Sequence, residues 1–169
     1  SKGVNVPDTD QFYGSKKFAL TLGIKAAQYN NVLLTDADCK PLSSWVENII
    51  NTFEHNENIG LISAPSPLTN SKTLIDDMFE VDSIAQDAIN AGGFYNGIPL
   101  SCSGRNLSFR KEVFLEVGGY DNIHAFISGD DDLLMHKISN TNWELFFLAH
   151  PQCIIESPPP NSMKQFINQ

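Results

Sequence analysis

The sequence predicts an α/β protein with a mainly parallel open sheet flanked by helices. Three observations carry that expectation. The apolar run Val32-Leu33-Leu34 is followed at once by Asp36 and Asp38. An amphipathic helix comes next, with Leu42, Trp45, Val46, Ile49, Ile50 and Phe53 at a helical period, and then a second apolar run, Ile59 to Ala64. Strand, helix and strand in that order form a βαβ unit, which favours parallel pairing.

At 169 residues the chain is long enough for one domain with a sizeable core, read here as spanning 1–169. A hydrophobic content of 41% and a mean hydropathy of −0.18 fit a globular protein rather than a disordered one. The net charge of −9 argues against a nucleic-acid partner, which would demand a basic face. Three widely spaced cysteines, Cys39, Cys102 and Cys153, make neither a disulfide framework nor a zinc site. They suggest a reducing compartment, so the expected location is cytoplasmic. No apolar run approaches the roughly 18 residues that a membrane-spanning helix requires.

Residues 1–15 are polar and turn-rich and read as a lead-in loop. Phe18 to Tyr29 is expected to be helical, with Phe18, Leu22 and Ala26 on one side and Lys16 and Lys17 at its start. Cations there oppose the helix dipole, which suggests either solvated residues or a phosphate nearby. Ser44-Trp45-Val46-Glu47 has the form of a capping box for the following helix, and Asn56 and Asn58 end it. Pro65-Ser66-Pro67 breaks the second strand. Leu74 to Ala91 is a second long helix, with Leu74, Ile75, Met78, Val81, Ala85, Ala88 and Ile89 on its apolar side, and Gly92-Gly93 should stop it.

Gly104 to Arg110 alternates as a strand does. Lys111 to Val117 is a short helix closed by Gly118-Gly119. A loop carrying Tyr120, Asp121 and His124 leads to Ser128-Gly129-Asp130-Asp131-Asp132 and a further helix. Trp143 to Ala149 and Cys153 to Glu156 read as late strands, and 157–169 as an extended C-terminal segment opened by three prolines.

Two acidic stretches carry the chemistry. Residues i and i+2 of an extended chain share a face, so Asp36 and Asp38 can converge just past a strand end, with only Ala37 between them. Such a pair suits Mg²⁺, which takes one or two carboxylates and fills its other positions with phosphates and water. The carboxylates of Asp130, Asp131 and Asp132 are favoured by a helix N-terminus and could do no more than cap it. Three in a row exceed that need, and their repulsion would raise the proton affinity of one of them, as a general base requires. Gly104, Arg105 and Asn106 could orient a sugar or diphosphate, or be an ordinary strand end. His124, His136 and His150 have no mutual metal-ligand spacing.

The order of these motifs resembles the family-2 inverting glycosyltransferases of the GT-A fold. The resemblance rests on Gly14-Ser-Lys-Lys-Phe-Ala-Leu-Thr-Leu-Gly-Ile24, Thr35-Asp-Ala-Asp-Cys-Lys-Pro41, Cys102 to Phe114, Val117-Gly-Gly-Tyr-Asp121 and Gly129-Asp-Asp-Asp-Leu-Leu134. It implies a GT-A-like, Rossmann-related sheet and transfer of a sugar from a nucleotide-diphosphate sugar, UDP-linked before others. The acceptor would be a hydroxyl of a carbohydrate or lipid-linked molecule, in polysaccharide or glycolipid assembly. By the same resemblance Asp38 would bind Mg²⁺ or Mn²⁺, and Asp36 would lie by the ribose or in the metal shell. Lys16, Gly104, Arg105 and Asn106 would contact the donor. Asp131 would be the base, or Asp130 if the register slips by one, since the family's Glu-Asp is here Asp-Asp.

Relatives in that family begin with further β-α units, and a Gln-x-x-Arg-Trp motif could begin at Gln169. The resemblance therefore implies a truncated catalytic core, weakly active or inactive alone, soluble itself but cut from a membrane-associated parent at the cytoplasmic face. Two other classes compete. Haloacid-dehalogenase-type phosphatases also place Asp-x-Asp after a strand, but want Thr or Val where Lys40 stands and an acid near Leu134. A non-catalytic nucleotide- or sugar-binding module is the third reading, against which the intact acids at both stretches speak.

Overall fold

A computed structural model describes residues 15–69, 72–121 and 129–159. Its elements are α1 (Ser15–Ala26), β1 (Asn31–Leu34), α2 (Trp45–His55), β2 (Ile59–Ser63), α3 (Leu74–Tyr95), β3 (Leu107–Arg110), α4 (Lys111–Glu116), α5 (Asp130–Ser139) and β4 (Glu144–Phe147). Single 3-10 turns occupy Gly104–Asn106 and Pro151–Cys153.

The four strands form one sheet in the order β1-β3-β2-β4. β1 and β2 each run antiparallel to β3, while β2 and β4 are parallel. Two of the three pairings are therefore antiparallel, which corrects the mainly parallel sheet expected above. The reason is specific. β1, β2 and β4 all point the same way, as the βαβ reading requires, but β3 is inserted between β1 and β2 and opposes both. No periodicity in Leu107–Arg110 reports strand direction.

Alternate strand residues feed two cores, one on each face of the sheet. On one face Leu61, Leu107 and Phe109 meet Ile24 of α1, Val113 and Phe114 of α4, and Leu134, Met135 and Ile138 of α5. On the other face Ile62 and Ile59 meet Trp45, Ile49 and Phe53 of α2, with Cys153 and Ile155. Ile59 and Ile62 share a face because Gly60 is an extra residue, a bulge opposite β4. A Cβ there would lie 2.7 Å from that of Trp143, so only glycine fits.

Cationic side chains hold the elements by their carbonyl ends. Arg110 donates from Nε to the Ile59 carbonyl (2.8 Å) and from Nη2 to that of Phe53 (2.9 Å), at the C-terminus of α2. Lys111 donates to the carbonyls of Lys25 (2.9 Å) and Ala27 (2.7 Å) at the end of α1. Positive charge at helix C-termini is where the dipole favours it.

Several boundaries differ from expectation. α1 begins at Ser15, and the rest of the lead-in loop lies outside the described residues. Ser44 makes no side-chain cap, and its hydroxyl bonds Gln152 instead. The capping box is at Thr73, whose Oγ1 accepts from the Asp76 amide while Asp76 accepts from Thr73. β3 and β4 are shorter than the strands expected, and Gly104 to Asn106 is a turn. Cys153 to Glu156 is no strand: Glu156 forms a bridge with Lys40, and the Ile155 amide donates to the Pro65 carbonyl at 3.1 Å. Of the C-terminal segment, residues 157–159 are described, and Ser157 bridges Leu68.

α3 runs through Gly92-Gly93 and ends at Tyr95, followed by Gly97 at φ 69. Its expected apolar face also points the other way: Phe79, Ser83 and Phe94 are buried, whereas Leu74, Ile75, Met78, Val81 and Ile89 are exposed.

The two glycines inside α3 should respond oppositely to a methyl group. Nothing lies within 4 Å of a Cβ on Gly92, so Gly92→Ala gains helix propensity, about 1 kcal/mol of stability. A Cβ on Gly93 would sit 2.6 Å from the Ile98 carbonyl oxygen, so Gly93→Ala loses about 1–3 kcal/mol. Urea denaturation of both variants checks the signs, and equal effects would contradict the helix geometry.

Candidate functional site

Gly129, at φ 83, turns the chain into α5 and puts Asp130, Asp131 and Asp132 in the first helical turn. Their mutual repulsion is met by giving each carboxylate a different surrounding. Asp130 pairs with Lys17 of α1, Oδ1 to Nζ 2.7 Å, both side chains largely withdrawn from water. Asp132 Oδ1 accepts from the Ser101 hydroxyl at 2.9 Å and from the Cys102 amide at 2.8 Å. Asp131 lies against the Cα of Gly104, where a Cβ would come 2.7 Å from its Cγ.

The concentrated negative charge registers on the neutral acids beside it. Burial pushes the Cys102 thiol well up, with Asp132 and Asp131 adding to the effect. Burial likewise raises the Tyr120 phenol, and Asp131, Asp130 and Cys102 raise it further. The Tyr120 hydroxyl is buried without a hydrogen-bond partner among the described residues. Both groups stay protonated and neutral around the aspartates.

The Gly104–Asn106 turn joins this cluster to the sheet. Asn106 is buried, and its amide nitrogen donates to the carbonyls of Pro65 (2.8 Å) and Cys153 (2.7 Å) while its oxygen accepts from Trp45 Nε1 (3.1 Å). Its side chain serves the fold. Arg105 is half-buried, donating from Nε to Ser103 (3.1 Å) and from Nη1 to Ser157 (2.9 Å). Its charge also acts on Asp87, whose carboxyl is pushed up by burial and held back by the Ser66 amide and by Arg105.

Asp36 and Asp38 follow the last residue of β1, Asp36 half-buried and Asp38 exposed in a turn closed by the Cys39 amide on the Asp36 carbonyl (3.1 Å). Leu34 pairs with Leu107, so the chain leaves β1 beside the turn that precedes β3. Contacts thus lead from the end of β1 to Gly104, and from Gly104 to Asp131. Among the described residues no three His, Cys, Asp or Glu side chains form a metal cluster. The side chain of Lys16 and the residues Ser128 and His124 lie outside the described residues.

Lys17, read from the sequence as solvated or facing a phosphate, is instead buried and paired with Asp130. The expected helix face, Phe18, Leu22 and Ala26, is two residues out of phase at its C-terminal end, since α1 faces the core with Leu20 and Ile24. Lys17, Leu20 and Ile24 are spaced i, i+3, i+7, and that period would have placed Lys17 inward. Ser101 and the Cys102 amide carry no sequence signal as partners of Asp132.

Residues 10–169 match the family model described as glycosyl transferase family 21. Among curated proteins, the chain is similar to a glucosyl-dolichyl phosphate glucuronosyltransferase of Haloferax volcanii, 26% identical over 123 residues. The match covers 71% of this chain and 38% of that protein, so the chain spans well under half of the relative's length.

Gly104→Ala should drive the Asp131 carboxylate from its place at a stability loss of about 1–3 kcal/mol. The carboxyl carbon resonance of Asp131 reports the movement, and an unshifted resonance would refute the contact. Tyr120→Phe should stay within about 1 kcal/mol of the parent at neutral pH, because the hydroxyl it removes is unpaired. With the folded phenol raised above its ordinary 10.0, the unfolded chain loses that proton first, so stability falls as pH climbs past the ordinary value. The variant should lack this part of the alkaline loss. Denaturation series from about pH 9 to about pH 11 would show parallel curves if Tyr120 plays no part.

Proposed function

The chain belongs to glycosyl transferase family 21, and from that premise we propose that it carries the catalytic core of an inverting, metal-assisted transferase. The donor is a nucleotide-diphosphate sugar, UDP-linked before others, and the acceptor is a hydroxyl-bearing or phosphate-bearing lipid-linked molecule. The fold suited to this is GT-A-like, with one strand opposing the others. The single observation that carries the reading is Asp131 resting on Gly104, in the turn beside the end of the strand that delivers Asp36 and Asp38.

The strand end suits a hard cation: its donors are carboxylate oxygens, Ala37 does not obstruct them, and Asp38 is open to solvent. Mg²⁺ or Mn²⁺, held by Asp38 with Asp36 beside it, would neutralise the charge of the departing diphosphate. The rest falls to the protein's own side chains. Asp131 takes the proton from the acceptor as its oxygen attacks the anomeric carbon from the face opposite the leaving group, and the configuration inverts. Asp130 is held by Lys17, and Asp132 by Ser101 and Cys102. Both are positioning residues, and Asp131, which rests on the Gly104 turn beside the end of the first strand, is the proposed base. Arg105, fixed by two serine hydroxyls, and Lys16 are the cations proposed to face the donor phosphates. Asn106 supports the turn from within.

A transferase family match supports this reading over phosphate-ester hydrolysis. That the relative is a glucosyl-dolichyl phosphate glucuronosyltransferase supports a lipid-linked acceptor. The free cysteines suit the cytoplasmic side of a membrane. No described helix is long and apolar enough to cross a membrane.

In the full-length protein Asp131→Asn should keep donor affinity and lose roughly 10²–10⁴-fold in transfer rate. Asp38→Ala should instead abolish the Mn²⁺ dependence of donor binding by calorimetry. Near-normal turnover in the first variant, or unchanged metal titration in the second, would sink the assignment.

A further inference from the structure

A polar slot lies where α3 meets the chain that leaves β2. The carbonyls of Pro65 and Pro67 accept from the amides of Ile155 (3.1 Å) and Ser157 (3.2 Å). Ser66, between them, donates its amide to Asp87 Oδ2 of α3 at 3.0 Å. The Ser66 hydroxyl is buried and finds no hydrogen-bond partner among the described residues. Leaving a buried hydroxyl unpaired costs stability, so its presence points to a partner from outside the chain.

Arg105 reaches the same place from the Gly104–Asn106 turn. Its Nη1 donates to the hydroxyl of Ser157 and its Nε to that of Ser103, which fixes the guanidinium and leaves N–H groups over for a ligand. Asp87 and Arg105 are both half-buried, and the charge of Arg105 acts on Asp87. Among the described residues they nevertheless form no ion pair with each other. A carboxylate and a guanidinium held near but apart leave a gap for a polar ligand.

The donor set decides what that ligand is. An anion inside the slot would be repelled by Asp87, and an amine by Arg105. Adjacent hydroxyls suit both: one donates to the carboxylate, its neighbour accepts from the guanidinium, and the Ser66 hydroxyl can do either. Such pairs of hydroxyls line the ring of a hexose.

The slot also borders both halves of the candidate site. Arg105 directly follows Gly104, against which Asp131 rests. Ser157 directly follows Glu156, whose carbonyl accepts from the Lys40 amide (3.3 Å) just past Asp38. Resting on the transferase reading, we propose that Ser66, Asp87 and Arg105 form the subsite for the sugar ring of the donor and grip adjacent ring hydroxyls. The guanidinium then spans sugar and diphosphate.

Calorimetry on the full-length protein with Mn²⁺ tests the proposal, using UDP, UDP-glucose and UDP-galactose as probes. One of the two UDP-sugars should bind more tightly than UDP. Ser66→Ala and Asp87→Asn should each weaken that UDP-sugar by about tenfold and leave UDP unchanged, the size of one lost hydrogen bond. Ser66→Ala removes an unpaired hydroxyl and should not lower the melting temperature; Asp87→Asn keeps an acceptor for the Ser66 amide. Undiminished UDP-sugar affinity in both variants, or an equal loss for UDP itself, would overturn the subsite. If the parent protein bound neither UDP nor any UDP-sugar, the transferase reading would fall instead. Methyl β-D-glucopyranoside then decides the slot alone: its saturation-transfer signal should be present with the parent and absent with Asp87→Asn. No signal with the parent would overturn the slot as well.

Discussion

The molecule depends on one buried amide. Asn106 ties Trp45 of the helix beneath the sheet, the end of the second strand at Pro65, and the C-terminal turn at Cys153 to a single point. Each of those groups would cost about 1–3 kcal/mol if left buried without a partner. The tie fixes where the third strand starts, and with it the 3-10 turn that contains Gly104. That placement forces the strand between its two neighbours and brings the turn beside the end of the first strand. A residue that reads from the sequence as a sugar contact is instead the fastening that makes a site possible.

From that fastening the electrostatics follow. Three adjacent carboxylates at a helix start are tolerable because the dipole favours them and because each has its own surroundings: a buried lysine for Asp130, the Gly104 turn for Asp131, a hydroxyl and an amide for Asp132. Their field falls on Tyr120 and Cys102, both pushed toward the neutral state that burial already prefers. The acidic cluster is thus bordered by the uncharged Tyr120 and Cys102 and by the cation of Lys17. Glycine at position 104 is dictated by the Asp131 carboxyl, not by any backbone conformation that only glycine can adopt.

Much of this was legible in the chain. The strand before Asp36, the helix carrying Trp45, Ile49 and Phe53, and the helix opened by three aspartates are where their periodicities put them. The resemblance to glycosyltransferases holds, and the family model that matches is that of family 21. What failed did so for physical reasons. Strand direction depends on which neighbour is reached first, so the antiparallel third strand was invisible. The apolar row of the long helix was legible but its exposure was not, since periodicity marks an amphipathic face without saying what covers it. Lys17 was noticed but not placed against Asp130, because a buried lysine is rare and its partner is more than a hundred residues distant.

The central claim is spatial: the carboxylate pair after the first strand and the aspartates of the last helix border one site through the Gly104 turn. Paramagnetic broadening by Mn²⁺ tests it directly, read on the amide resonances during titration with a UDP-sugar. The account predicts strong broadening at Asp36 and Asp38 and, in the same titration, at Gly104 and Asp131. Broadening confined to the first pair would contradict it.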